Sequence, residues 1–154
     1  MRILLLLVPA LLISCGAEPK PAAEPPAKPA AAKPSDETRR FPSANQVNTE
    51  VVDTQLLGKS FMPGGTLAHY KHGKQEYMMF IVKMPNPQDA AFLLLDWNKT
   101  LKGSQIVPAF GGYCGDDAGR TVFVFAKDRW VAGVVGLPQK EADLAARGLA
   151  AHLD

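Results

Sequence analysis

Six prolines between Pro19 and Pro34, separated by Ala, Lys and Glu, decide how much of this chain can build a core. Proline fixes φ, removes a backbone donor and pushes its neighbour toward extended geometry. A stretch so poor in large apolar residues also cannot offset the entropy of ordering it. The segment from Ala17 to about Arg40 is therefore expected to be a polyproline II spacer, reaching on the order of 70 Å at about 3.1 Å per residue. A proline-rich ligand for a partner domain is the alternative reading of the same composition. Folding is left to residues 41–154, enough chain for a single core.

Upstream of the spacer, Arg2 precedes an apolar run from Ile3 to Ile13, broken only by Pro9 and Ala10, and Ser14-Cys15-Gly16 follows. A run this short cannot cross a hydrocarbon core that needs roughly 20 helical residues, but it suits the apolar region of a secretory signal. Leu12-Ile13-Ser14-Cys15 resembles the lipobox of bacterial lipoproteins: an aliphatic residue, a permissive position, a small residue and the acylated cysteine. The resemblance implies a signal peptide over 1–14, palmitate-type acyl chains on Cys15 and a flexible stalk over 15–40. Two or more chains anchor a protein stably where one binds marginally. Gly16, rather than Asp, implies an outer-membrane anchor facing the periplasm if the host is Gram-negative. An ordinary signal peptide with an incidental cysteine is the competing reading.

The chain carries a formal charge of +2. From Phe41 onward acidic and basic side chains balance one for one, so the excess belongs to the signal and stalk. A neutral domain has no electrostatic footprint for nucleic acid, and none is expected as a partner.

Within the domain, Thr66 to His72 and Glu76 to Met84 predict a hairpin around His72-Gly73-Lys74-Gln75. Asn86-Pro87-Gln88-Asp89 predicts a helix start, with Asn86 as cap, Pro87 in the first turn and Asp89 at the positive end of the dipole. Ala90, Leu93, Leu94, Trp97 and Leu101 fall on one face of that helix. Thr121 to Ala126 and Trp130 to Leu137 predict a second hairpin turning at Lys127-Asp128-Arg129, with Asp128 tolerating a left-handed backbone. Pro138 then opens a second helix whose apolar face is Ala142, Ala145, Ala146, Leu149 and Leu153. Tyr77 to Pro85 aligns without a gap on Trp130 to Pro138, which suggests a pseudo-repeated ββα unit. With strands from Val47 to Leu57 and Ile106 to Phe110, the expected fold class is α+β: an antiparallel sheet of about five or six strands with two helices packed on one face.

The order of hairpin, Asn86-to-Phe92 helix, glycine-rich loop over Gly111 to Gly119, Phe125-to-Trp130 hairpin and terminal helix resembles a family of bacterial envelope proteins known only as a domain of unknown function. The resemblance spans roughly Gly64 to Leu153, with Asp128 in place of the usual turn glycine, and implies location and fold without a catalytic residue.

Chemistry is sparse. No Gly-x-Ser-x-Gly elbow, His-Glu-x-x-His, phosphate-cradling glycine loop or dinucleotide fingerprint occurs, so no cofactor is expected. The histidines are His69, His72 and His152. Cys114, in Gly111-Gly112-Tyr113-Cys114-Gly115-Asp116-Asp117, is the one thiol left once Cys15 is acylated. It is the candidate reactive group of a cryptic enzyme or redox protein, although Asp116 and Asp117 oppose thiolate formation. The same acidic pair invites a calcium reading, against that of a solvated turn. His69, His72, Met62, Met78, Met79 and Met84 are ligand types of copper binders, yet His69 and His72 fall on opposite strand faces and buried methionines fill cores, so no metal is expected. On the first helix Phe92 and Leu95 lie off the core stripe beside Asp96, Lys99 and Lys102, which makes them the candidate partner surface. The reading is a lipid-anchored envelope protein with a non-catalytic binding or structural domain, whose partner is an envelope protein or a cell-wall component.

Overall fold

A computed structural model of the chain describes residues 33–154. The expected signal peptide, Cys15 and most of the expected stalk lie outside the described residues. Along the chain run β1 (Gln46–Thr54), β2 (Pro63–His72), β3 (Gln75–Lys83), α1 (Pro87–Thr100), β4 (Lys102–Val107), β5 (Gly112–Asp117), β6 (Arg120–Lys127), β7 (Trp130–Val135) and α2 (Gln139–Ala150). Every pairing is antiparallel, in the order β1-β2-β3-β7-β6-β5-β4. The sheet has seven strands rather than five or six. The addition is β5, which occupies the stretch expected to be a glycine-rich loop. Its glycines are there for space: a Cβ at Gly112 would run into the Val124 carbonyl on β6, and one at Gly115 would crowd Leu101 and Lys102. Glycine inside a strand marks such close backbone approach.

Local chemistry sets the helix starts. Asn86 accepts a hydrogen bond from the Asp89 amide at 2.8 Å, and Pro87 needs no donor in the first turn. Ala90, Leu93, Leu94 and Trp97 are the buried stripe of α1, and Ala142, Ala146 and Leu149 that of α2. Asp128 turns the β6–β7 hairpin with a φ of 51°.

The helices cover opposite faces of the sheet, not one. On β6, Val122 and Val124 pack in the cluster that contains α1, while Phe123 and Phe125 pack in the cluster that contains α2. On β3, Phe80 and Val82 face α1 while Met79 and Ile81 face α2. Alternate residues of a strand point to opposite faces, so the two clusters are the two sides of one sheet. Strand β7 is buried at every position, as a strand covered on both sides must be. The ββα repeat fails for the same reason. A rotation exchanging the adjacent antiparallel strands β3 and β7 runs normal to the sheet and would leave both helices on one side. The aligned strands do match in facing, Tyr77, Met79 and Ile81 with Trp130, Ala132 and Val134.

The helices pack over β5, β6 and β7. Other segments cover β1 to β3. On the α2 side the Glu37 amide donates to Thr66 Oγ1 at 3.0 Å, Phe41 is buried, and Tyr70 donates to the Pro42 carbonyl at 2.8 Å. Arg40 lies 4.5 Å over the Trp130 ring and donates to the His152 carbonyl at 2.9 Å. Packing therefore begins near Ser35, ahead of the boundary expected at Phe41, because Arg40 finds an aromatic face and Thr66 a backbone donor. On the α1 side Leu56 and Met62 fill the corner, with the Trp97 indole N–H 3.1 Å from Met62 Sδ and Phe61 edge-on to that ring at 5.3 Å.

Candidate functional site

Phe92 is 54% exposed and Leu95 44%, while the inward residues of α1 are 0–8% exposed. They are one turn apart on the outer side of the helix, among Asp96, which pairs with Lys99 at 2.9 Å, and solvent. The helical spacing that sets them off the core stripe thus places two large apolar side chains in a polar setting, the arrangement that marks contact surfaces.

Cys114 sits on β5 in the α2-side core, 5% exposed, beside residues such as Val107, Phe123 and Phe125. Burial pushes its thiol up, which withdraws the thiolate that nucleophilic chemistry needs. Among the described residues it has no hydrogen-bond partner and no disulfide partner. Asp116 and Asp117 are engaged elsewhere. Asp117 holds Lys59 at 2.6 Å, and Asp116 accepts the Gly119 amide at 3.1 Å, closing the β5–β6 turn.

The His and Met ligand types are dispersed. His69 Nε2 is 3.1 Å from Glu50 on the neighbouring strand, and His72 is exposed at the end of β2. Met62 lies under Trp97, Met79 is in the α2-side core, and Met78 and Met84 pack on the α1 side. Among the described residues no three His, Cys, Asp or Glu side chains converge as a metal site.

One feature escapes a reading of the sequence. A cleft of about 490 Å³ opens where the β2–β3 hairpin, the end of β7 and the start of β6 meet. Met78 and Val135 are cross-strand partners in it, His69 lies opposite Met78 on β2, and Lys71, Glu76 and Arg120 complete the rim. These residues are far apart in sequence, and only the β3–β7 pairing brings them together. Lys71 holds Glu76 at 2.9 Å, which keeps that carboxyl below its ordinary range.

No protein-family model matches the chain, and no curated protein matches it. Among solved structures it is similar to the crystal structure of a GTP binding regulator from Thermotoga maritima, with a TM-score of 0.54 at 10% identity. The likeness covers 73% of this chain and 80% of that one. At this identity it is a likeness of fold alone, and it agrees with an α+β architecture built on an antiparallel sheet.

Proposed function

We propose that the chain is a lipid-anchored protein of the bacterial envelope, held to a membrane through Cys15, whose domain is a non-catalytic binding module. The outer face of α1 is its contact surface, and the partner is an envelope protein or a cell-wall component. The observation that carries the binding role is the exposure of Phe92 and Leu95 together on a helix whose other large apolar residues are buried. Aromatic and aliphatic anchors gain free energy in proportion to the exposed apolar area that a partner removes from water. Cys114, buried and without a hydrogen-bond partner among the described residues, favours this reading over thiol chemistry. The activity named for the Thermotoga structure is left with that protein, since no phosphate-cradling loop occurs here.

The test compares cross-linked complexes recovered from envelopes with the intact protein and with a Phe92→Asp, Leu95→Lys variant. A partner recovered with the first and lost with the second supports the reading. Equal recovery by both, or loss of the partner on Cys114→Ser in a folded protein, would overturn it.

A further inference from the structure

The cleft at the end of β7 takes no part in the α1 surface and has a charge pattern of its own. Two of its polar side chains are already engaged within the protein. His69 is 3.1 Å from Glu50, and Lys71 is 2.9 Å from Glu76. Arg120 differs. Its cross-strand neighbour on β5 is Asp117, the carboxylate best placed to neutralise it. That carboxylate is instead taken by Lys59 at 2.6 Å, so among the described residues the Arg120 guanidinium has neither an ion pair nor a hydrogen bond. It lines the same concavity as half-buried Met78 and buried Val135.

We propose that this cleft binds a small amphipathic carboxylate, the carboxylate forked on Arg120 and the apolar portion laid over Met78 and Val135. A guanidinium presents parallel donors that match the two oxygens of a carboxylate, which a lysine does not. A concavity of about 490 Å³ falls in the range of small-molecule sites. Lys71 and Glu76 cancel one another, so the rim retains one net positive charge, on Arg120.

The experiment titrates octanoate into the full chain carrying Cys15→Ala, which removes acyl groups that would themselves take up the probe, and follows backbone amide shifts. Saturable binding is expected, with the largest shifts at Met78, Val135 and Arg120. Arg120→Gln should weaken it at least about tenfold, the scale of a charge-assisted hydrogen-bond pair. Lys71→Gln combined with Glu76→Gln should change it little, because that pair is net neutral within the protein. Acetate should bind more weakly than octanoate, and octylamine should not bind. Absence of saturation, equal binding of octylamine, or equal weakening by Arg120→Gln and the Lys71→Gln, Glu76→Gln pair would overturn the proposal. Both variants alter exposed side chains, so their spectra should remain those of the folded domain. The Phe92→Asp, Leu95→Lys variant should bind octanoate normally, which keeps this site's failure distinct from failure of the α1 surface.

Discussion

Replacing Phe92 by Asp and Leu95 by Lys asks whether these side chains belong to the surface or to the core. With 54% and 44% exposure, each has about half its area covered. Full burial of such a side chain contributes about 1.5–3 kcal/mol, so half burial places about 1 kcal/mol at stake for each residue. The introduced carboxylate would face Asp96 four residues on, and the introduced ammonium would face Lys99. Each like-charge pair costs about 0.2–0.5 kcal/mol, and attraction between the two introduced groups three residues apart offsets part of that. The expected loss is about 2–3 kcal/mol for the pair. Trp97→Ala, at 0% exposure on the inner face of the same helix, should cost about 3–5 kcal/mol by itself. Urea unfolding of the three proteins measures both, with an unchanged dependence on denaturant if the folded state is otherwise intact. A loss in the double variant equal to or above that of Trp97→Ala would place Phe92 and Leu95 in the core and remove the basis of the proposed contact surface.

Three further outcomes are expected. Cys15→Ala should move the protein from the membrane fraction to the soluble one, because the rest of the stalk is polar and the domain neutral; pelleting that survives a high-salt wash would refute lipid anchoring. Gly133→Ala should cost about 2–3 kcal/mol, since the new Cβ would lie 2.5 Å from Phe80 Cε1 and 2.6 Å from the Phe123 carbonyl oxygen, a backbone atom that cannot swing away; a urea midpoint equal to wild type would show that the ring has room to move. Burial holds the Cys114 thiol neutral in the folded state, so the unfolded chain ionises first. Stability should therefore fall as pH rises past the free thiol's value of about 8.5, and Cys114→Ser should remove that part of the alkaline loss.

The parts of the fold legible in the sequence are those coded by neighbours. Asn86, Pro87 and Asp89 mark a helix start because capping, a missing donor and dipole complementarity act within one turn. Asp128 marks a hairpin for a similarly local reason. Strand β5 was hidden because its glycines answer to Val124, Leu101 and Lys102 across the sheet, and a glycine run without such partners reads as a loop. The side of the sheet that each helix covers was hidden too. A helical stripe says which residues are inward but not which face receives them. The continuous apolar run of β7 was the available signal, since a strand apolar at successive positions has two covered faces.

The two surfaces differ in the same way. Phe92 and Leu95 follow from an angle around a helix, which the chain fixes over a few residues. The cleft depends on β3 lying against β7, which sets Met78 beside Val135. It depends equally on Lys59 reaching Asp117. Read along the chain, Asp116, Asp117 and Arg120 look like a self-neutralised turn, and the expected charge balance of the domain hides any excess. The lysine arrives from the segment between β1 and β2, takes the carboxylate across the strand pair from Arg120 and leaves an arginine whose charge has no answer among the described residues. Local electroneutrality in a sequence is therefore a weak guide to a site. A Lys59→Met substitution would release Asp117 toward Arg120, and it should weaken octanoate binding without altering any residue of the cleft. Unchanged binding in that variant would mean that Asp117 does not compete for Arg120 even when free.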